Sequence, residues 1–454
     1  MKNLSLIFCF FAFLTISAQD HFSGMTTSKK VTLLNAGVNP AELANLTSIY
    51  DANLFSLSIN ASNNKIGFSD IVNGNNIEDL ILKGDEPVNM RIDAEIYGPG
   101  FAMRLNKWAF GVSTKAYAKL NLVDVDTKLG DAINNSLSSI SLGSTTILNN
   151  NYNQRVNGTS WGEVGFSLAR NLFENEKHKF SVGTTLKLLF PGSYTNFGLD
   201  KFNGEIKVNE LEGEAYLNNA TAKLNIAYSG NLNGDFADFN AYSKSMFGQL
   251  NGVALDLGAN YQLKDKENEG YKLNTGISIR NIGGMSFDNP GNSSTDYSLK
   301  IQSTFANPNG LAMSQFQNSN NLEDVENTLQ NDGYLTKTES TSSIKVKLPT
   351  VFSLYADLKV YSKFYMTLYT QQKLGSDNKD NQVTTQNVVS VIPRFSLKNF
   401  EVYSAWSANE ISGTTGGLGF RIYGFYLGSS SIVTALVSDT KQADVYMGFR
   451  FGLK

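Results

Sequence analysis

Few side chains of this chain could carry catalytic chemistry. Its 454 residues include two histidines, His21 and His178, and one cysteine, Cys9. His21 lies in the N-terminal tail and His178 lies between two lysines in a predicted turn, and neither position is expected to bring a histidine to a serine or an acid. Serine hydrolases need that arrangement. We therefore expect no enzyme and no catalytic residue.

Acidic and glycine-rich segments also fall short of known site patterns. Asp124, Asp126 and Asp131 share a predicted loop, but Lys128 stands at the fifth position of a calcium-loop pattern. The segment 413–419, GTTGGLG, lacks the lysine and the spacing of a phosphate-binding loop. We expect no metal and no cofactor. A net charge of −3 gives no electrostatic reason to bind nucleic acid.

The N-terminus predicts export of the chain. Lys2 is followed by the apolar segment 4–16 and then by the small residues Ser17 and Ala18. A positive start, a short apolar run and a small-residue end are typical of a secretory signal peptide. We expect residues 1–18 to be removed, which takes away Cys9 and leaves no thiol or disulfide. No later run reaches the ~18 apolar residues of a spanning helix.

Alternation of apolar and polar residues dominates the rest of the chain. In 180–190, 253–263 and 445–453 every second residue is apolar except Thr184, and the residues between them are mostly small or polar. This period is typical of a strand with one apolar face. About 14 such segments can be counted, and weaker ones at 203–210 and 432–437 would raise the number to about 16. We predict an all-β fold, a transmembrane antiparallel β-barrel of about 14 strands (14–16) formed by residues 54–454.

One strand has an interrupted alternation. Arg91, Asp93 and Glu95 put polar residues at odd positions, whereas Phe101 puts an apolar residue at an odd position. The Gly98-Pro99-Gly100 segment between them predicts a β-bulge that reverses the two faces.

A soluble β-sandwich or propeller is the competing fold. Its strands are usually about 5–6 residues long, shorter than the segments in this chain. Aromatic residues near the strand ends are typical of the interface girdles of membrane barrels; they are Trp108, Phe180, Phe190, Tyr261 and Trp406. Together with the signal peptide they favour the outer membrane of a Gram-negative bacterium, with its lipid around the barrel.

If the apolar faces meet lipid, the polar faces line the lumen. The residues expected to line it are Arg91, Lys115, Asp256, Arg280, Arg394, Arg421 and Arg450, with Tyr117, Tyr355, Tyr365, Tyr369, Tyr403, Tyr423 and Tyr446. The charges could make the lumen weakly anion-preferring, or they could pair and brace the wall. The tyrosines could bind a solute or only fill volume. Eight strands are filled by side chains and 16–18 leave a channel, so about 14 strands should enclose a further element.

Residues 19–53 precede the first predicted strand and could be that element, a plug. Asn39 is typical of an N-cap, Pro40 of a first helical position and Glu42 of a capping-box acid. With Ala41 they predict a short helix through about Leu46. The alternative is a capped turn that only closes the periplasmic mouth.

The motif Asn39-Pro40-Ala41, followed by a barrel pattern, resembles the long-chain fatty-acid transporter family of outer-membrane barrels. In that family the motif lies in an N-terminal hatch inside a 14-stranded barrel. The chain is also similar to the shuttle barrels of type IX secretion and most of all to a group of barrels defined as a domain of unknown function. It ends in Lys454 rather than in an aromatic residue, although Phe449 and Phe451 could still be recognised by the barrel-insertion machinery.

Three functions follow as hypotheses. The first is passage of a hydrophobic or amphiphilic solute through the plugged barrel, with the solute class implied by the resemblance. The second is a membrane platform whose long loops bind a secreted or surface protein, suggested by the loop predicted over 287–344. The third is a general porin, which requires an unobstructed lumen.

Overall fold

Strands dominate the computed structural model of the chain. It describes residues 21–28, 30–134, 144–209, 211–229, 248–265, 270–289, 291–305, 307–316, 319 and 321–453. The predicted signal peptide, residues 1–18, lies outside these residues. None of the helices that they form is long and apolar enough to cross a membrane.

The strands are numbered β1 to β23 in chain order. They are Tyr50–Asn63, Val88–Tyr97, Gly100–Leu105, Trp108–Val125, Thr145–Asn149, Asn153–Glu174, His178–Asn209, Glu214–Tyr228, Gly252–Lys264, Tyr271–Phe287, Ser293–Ile301, Leu311–Ala312, Leu335–Thr341, Ile344–Lys347, Val351–Tyr361, Phe364–Lys373, Val388–Ser396, Phe400–Tyr403, Trp406–Asn409, Gly413–Gly416, Leu418–Ile422, Phe425–Ser429 and Gln442–Leu453. The α-helices of the described residues, α1 to α6, are Thr32–Ala36, Phe68–Val72, Ile77–Ile81, Thr127–Asn134, Leu322–Asn331 and Ile432–Val437. Pro40–Asn45 and Met313–Phe316 are 3-10 helices.

Fourteen strand positions close a ring within the described residues. In order they are β1, β2 with β3, β4, β6, the first part of β7, β9, β10, β15, β16, β17, β18 with β19, β20 with β21, β22 and β23, which pairs again with β1. Every pairing in the ring is antiparallel. The predicted barrel and its strand number are therefore confirmed.

The outer surface of the ring is apolar. On β9, Leu257 is exposed on the outside, whereas its neighbour Asp256 is buried on the inside. The same alternation exposes Phe110, Val112, Phe166, Leu186, Ile277, Val391, Val445 and Phe449. Exposed apolar side chains in this number suit a hydrocarbon surrounding, where a closed barrel leaves no backbone group unpaired.

The second strand position is broken at residues 98–99. Both β1 and β4 pair with β2 before the break and with β3 after it, and the register against β4 shifts by one residue across it. The odd-numbered Arg91 and Asp93 are buried before the break, and the odd-numbered Phe101 is exposed after it. The predicted bulge and its reversal of the two faces are confirmed.

A second sheet stands beyond one rim of the barrel. The later part of β7, which as a whole spans His178–Asn209, pairs with β5 and β8, and β8 pairs with β11, which pairs with β13. Phe202, Ile206, Leu217 and Leu299 contribute to an apolar core under this sheet. Helices α4 and α5 contribute Leu129 and Leu329 to the same core.

Four sequence expectations need correction here. The segment 203–210 is strand up to Asn209, but it extends β7 outside the ring and adds no barrel strand. The segment 432–437 is helix α6 rather than a strand, because backbone N–H groups there bond to carbonyls four residues earlier, as Ala435 does to Ser431 at 2.9 Å. The loop predicted over 287–344 contains β11, β12, β13 and α5. The first strand begins at Tyr50, earlier than the expected start at residue 54.

The two rims differ. One rim has short connections, such as the two residues between β15 and β16, and the paired ends of β1 and β23. The other rim has the long connections and the second sheet. In outer-membrane barrels the short turns are periplasmic and the long loops extracellular.

Candidate functional site

The N-terminal segment 21–49, here called the plug, lies inside the barrel. Its 3-10 helix begins at Pro40, and the Asn39 Oδ1 accepts the N–H of Ala41 at 3.0 Å. Proline suits this first position because it has no N–H to leave unsatisfied. The helix ends at Asn45, so the short helix expected from the sequence is present.

The plug motif is seated on glycines of the barrel wall. A Cβ on Gly183 of β7 would lie 2.5 Å from the backbone N of Ala41, and one on Gly258 of β9 would overlap the Asn39 Oδ1. Gly183 and Gly258 are paired directly across β7 and β9. The two glycines therefore make a shallow seat into which the backbone of the motif fits.

Glu42 binds the wall rather than the helix start. Its Oε1 accepts the side-chain N–H groups of Asn260 at 3.0 Å and Asn274 at 2.8 Å, and the Tyr355 hydroxyl. The expected capping box is wrong, because the Asn39 N–H donates instead to the Asn35 carbonyl at 2.8 Å. A buried carboxylate needs several donors, and the wall supplies three.

Further wall residues hold the plug backbone. Arg280 donates to the Gly37 carbonyl at 3.0 Å, Ser278 donates to the Val38 carbonyl at 2.7 Å, and Lys179 donates to the Ala44 carbonyl at 2.8 Å. These bonds come from β7 and β10 and satisfy carbonyls on both sides of the motif. The plug is therefore held along its length and not only at Asn39.

The start of the plug inserts an aromatic ring among tyrosines. Phe22 is buried with its ring centroid 5.6 Å from that of Tyr97, 5.9 Å from Tyr446 and 6.4 Å from Tyr426, all edge-to-face. The Tyr446 hydroxyl donates to the Ser23 carbonyl at 2.6 Å. Edge-to-face packing of this kind stabilises beyond area burial by roughly 0.5–1.5 kcal/mol per pair.

The predicted lumen charges lie in ion pairs and hydrogen bonds. The shortest nitrogen–oxygen distances are 2.6 Å for Arg394–Asp357, 2.8 Å for Arg421–Glu401, 2.8 Å for Lys187–Asp256, 3.3 Å for Arg450–Asp51, 3.4 Å for Arg91–Asp377 and 3.9 Å from Lys115 to both Glu95 and Glu163. Arg280 donates hydrogen bonds to the Gly37 carbonyl of the plug and to the Gln371 side-chain oxygen. These contacts favour a wall braced by opposite charges over an anion-preferring lumen.

The tyrosines divide between three environments. Tyr355 contacts Glu42, Tyr369 packs with Val38 of the plug, and Tyr117 stacks on Trp161 with centroids 4.4 Å apart. Tyr423 does not face the lumen. It is 70% exposed with a φ of 53° in the turn between β21 and β22, where the alternation of the strand has ended.

The surroundings of His21 also differ from expectation. Its Nδ1 lies 2.8 Å from the Ser58 Oγ. The nearby carboxylates of Glu95 and Asp93 favour the charged form of its ring. Burial lowers the pKa of the imidazole below its ordinary value, so the ring is neutral at pH 7. Within the described residues no carboxylate hydrogen-bonds the other ring nitrogen, as a serine-hydrolase triad would require. His178 hydrogen-bonds Tyr261 at 2.7 Å on the short-turn rim.

A chamber of about 100 Å³ remains above the plug. Phe22, Gly37 and Val38 of the plug line one side of it. Charged wall residues line the rest, namely Asp93, Glu95, Lys115, Lys119, Glu163, Lys187 and Arg280. The chamber is polar and too small for a long-chain solute unless the plug or the wall moves.

Sequence reasoning missed two parts of this site. Gly183 and Gly258 stand at lumen-facing positions of alternating strands, and a glycine at such a position could have indicated a close approach. Trp161 is buried at the chamber, and its indole N–H has no hydrogen-bond partner within the described residues. The described residues contain no group of three metal-ligating side chains.

A closed antiparallel ring with an apolar outside, an even strand number and a plugged lumen defines an outer-membrane β-barrel, which resides in the outer membrane of a Gram-negative bacterium. The family described as "Family of unknown function (DUF5723)" matches residues 40–430, and the chain belongs to this family. No curated protein matches the chain. The resemblance to fatty-acid transporters and to type IX shuttle barrels stays a prediction.

Several solved barrels are similar to the chain over most of its length. The toluene transporter TodX of P. putida has a TM-score of 0.43 and 9% identity, covering 91% of this chain and 92% of that chain. The toluene transporter TbuX of Ralstonia pickettii has a TM-score of 0.41 and 10% identity, covering 93% and 94%. The translocator domain of the autotransporter NalP from Neisseria meningitidis has a TM-score of 0.29 and 7% identity, covering 88% of each chain.

Proposed function

We propose that this barrel passes an amphiphilic solute between its lumen and the surrounding bilayer through an opening in its wall. One observation carries the proposal. Leu348 lines both the chamber and a second pocket of about 740 Å³, whose rim includes Val253 and Leu250. Both rim residues are more than half exposed on the apolar outer side. Leu348 thus belongs to the lining of both the inner chamber and the outer pocket.

The wall is irregular at this point. β10 pairs with β15 as far as Arg280 opposite Val351, and it pairs with β14 from Gly284 opposite Lys347. Between these pairs, residues 348–350 lie outside the strands and face residues 281–283 of β10. These two facing segments are here called the seam. A seam with an interrupted ladder separates at lower cost than a continuous one.

Few bonds close the seam. Leu348 donates its N–H to the Gly283 carbonyl at 3.1 Å, and the Thr350 hydroxyl donates to the Asn281 carbonyl at 3.1 Å. Asn281 has a φ of 60°, a left-handed conformation that is uncommon for a residue with a side chain. The Asn281 side-chain amide also donates to the Pro349 carbonyl at 3.4 Å, so the opening would break three hydrogen bonds and relax a strained residue.

The two sides of the seam suit the two ends of an amphiphile. The chamber carries Lys115, Lys187 and Glu163, which offer partners for a polar head group. Trp161, Met285 and Leu348 belong to one apolar cluster that continues from the chamber to the outer pocket. An alkyl or aromatic tail would follow this cluster, whereas a purely apolar solute would leave the charged chamber unsatisfied. A general porin is not favoured, since the plug occupies the lumen.

Filling the seam should block transfer. We expect Leu348→Trp to lower the rate at which proteoliposomes take up a fluorescent acyl-chain carboxylate at least tenfold, because the larger ring occupies the shared wall. Leu250→Trp, on the outer rim of the same pocket, should stay within twofold of the unsubstituted protein. Equal rates for the two variants, or no transfer above protein-free liposomes, would count against the wall route.

A second function is favoured by the sheet beyond the extracellular rim. This sheet has its own apolar core, and within the described residues β5 and β13 each pair on one side only. Open edges of this kind accept a strand from another protein. The barrel would then be a membrane platform for a secreted protein with an extended segment.

A lysine on the open edge tests the platform. Ile147 of β5 is 75% exposed, and Ile147→Lys should reduce capture of a secreted partner at least tenfold because charge blocks edge pairing. Leu211→Lys, at the exposed turn between β7 and β8, changes charge without touching the edge and should leave capture unchanged. Equal capture by both variants would exclude edge pairing as the mode of binding.

A further inference from the structure

The connection between β16 and β17 crosses the extracellular mouth of the barrel. This connection, residues 374–387, is here called the strap. It begins and ends at the ninth and tenth positions of the ring, and it contacts strands at the first, second and fourth positions and the later part of β7 beyond the rim. A solvated loop would turn away into water. The strap instead reaches the opposite wall.

Asp377, near the start of the strap, attaches it to the opposite wall. Its carboxylate lies 3.4 Å from the Arg91 guanidinium and 2.6 Å from the Lys373 ammonium. Its backbone carbonyl accepts from Arg155 at 2.7 Å, and Arg155 is only 1% exposed. Two arginines of the barrel wall therefore converge on a single residue of the strap.

Asp380 makes a second attachment three residues further along. Its Oδ1 accepts from Asn153 of β6 at 3.1 Å and from Asn196 of β7 at 3.0 Å. Gly198 of β7 leaves room for this carboxylate, since a Cβ there would overlap the Asp380 Oδ1. The strap thus has a seat on the wall, as the plug has on Gly183 and Gly258.

The strap forms the roof of the chamber. Thr385 and Gln386 line the chamber opposite the plug residues Gly37 and Val38. Gln386 also donates to the Ser62 hydroxyl of β1 at 2.9 Å. The polar chamber is therefore enclosed from the outside by the strap and from the periplasmic side by the plug.

We propose that the strap is the outer gate of the lumen, latched by Asp377 and Asp380 and opened from the extracellular side. The attachments are polar and reach across the mouth, so they can exchange protein partners for water at a modest cost. Such a gate admits a solute to the chamber while the plug keeps the periplasmic side closed. The gating role of the strap depends neither on which solute passes nor on whether the solute leaves through the wall.

A cysteine inside the chamber reports the state of the gate. Val351→Cys places a small thiol at a chamber-lining position, and the natural Cys9 lies in the segment expected to be removed. Added outside intact cells, a membrane-impermeant methanethiosulfonate should modify this thiol at least tenfold faster when Asp377→Ala and Asp380→Ala are present. Asp85→Ala, which removes an exposed loop acid that pairs with Lys128, is the matched control and should leave the rate unchanged. An unchanged rate with the strap variants would overturn the proposal.

A reversible lock provides a test that keeps one folded protein on both sides of the comparison. A Cβ at position 198 would lie 3.1 Å from the Asp380 Cγ, close to the separation of about 3 Å between a Cβ and the far sulfur in a disulfide. Gly198→Cys with Asp380→Cys, added to the full-length Val351→Cys chain, should keep the thiol at position 351 unmodified while the lock is oxidised, and reduction should raise its modification at least tenfold, measured by peptide mass spectrometry. Equal modification of position 351 before and after reduction would show that the strap is not the barrier.

Discussion

Removal of residues 21–45, combined with Asp377→Ala and Asp380→Ala, should turn the closed barrel into a steadily conducting pore in a planar bilayer. The intact chain should show no conductance above the bare membrane. A ring of 14 strands is wider than the eight-stranded barrels that side chains fill. Asn39, Glu42 and Phe22 of the plug fill part of the lumen. When the plug is removed, water takes the place of these side chains.

Each change alone should give a smaller effect. With only the plug removed the strap still covers the mouth, and we expect brief openings rather than a steady current. With only the strap released the plug still fills the lumen, and the current should stay at baseline. A silent bilayer with both barriers removed, from protein that still unfolds cooperatively, would contradict the assignment of plug and strap as the two barriers.

A full-length variant guards against a deletion that fails to fold. An added Cβ at Gly183 meets backbone atoms of Pro40 and Ala41, which cannot rotate away. Gly183→Ala should therefore unseat the plug and increase its cleavage by an added protease at least fivefold. At Gly158 an added Cβ first meets a methyl group of Thr195 at 3.0 Å. Gly158→Ala, as the matched control, should leave cleavage within twofold.

The sequence predicts the barrel well because the bilayer imposes a simple rule. A strand between lipid and a polar lumen must alternate, and Leu257 with Asp256 shows how neighbouring residues meet this demand. The bulge at residues 98–100 is readable for the same reason, since it reverses a pattern that is otherwise strict. The short plug helix follows from the local chemistry of Asn39 and Pro40, which needs no tertiary information.

The parts that the sequence does not predict depend on what lies on the apolar face. Alternation within β7 continues past residue 195 into the second sheet, where the apolar side meets Leu217 and Leu299 rather than lipid. Period two is the same in both surroundings, so the point where the strand leaves the membrane is not visible. This is why 203–210 resembled a further barrel strand.

Long-range partners explain the error at Glu42 and the features of the strap that local composition does not reveal. Glu42 has the spacing of a capping-box acid, but its carboxylate accepts hydrogen bonds from three donors on distant strands instead of from the helix start. The strap has the Asn- and Asp-rich composition of a solvated loop, but its polar groups bind Arg91, Arg155 and other wall residues on distant strands. Local composition cannot distinguish a polar segment bound to water from one bound to a polar wall.

Loss of a buried ion pair should destabilise the barrel more than any surface change. Arg394 and Asp357 are 2% and 0% exposed at the side chain and lie 2.6 Å apart, and Asp357 also accepts from Tyr271 and Thr367. Arg394→Met leaves a carboxylate buried without its cation, which costs roughly 3–5 kcal/mol. Urea unfolding in detergent micelles measures the loss.

Two comparisons separate the buried charge from lost packing. Arg394→Met with Asp357→Asn removes both charges, keeps one acceptor oxygen for Tyr271 or Thr367 and lets the amide N–H donate to the other hydroxyl, so it should recover more than half of the lost stability. Glu174→Gln breaks a partly exposed pair with Lys264, which is worth less than about 1 kcal/mol because water screens it. If the double variant is no more stable than Arg394→Met alone, the loss comes from packing, and the paired charges do not brace the wall.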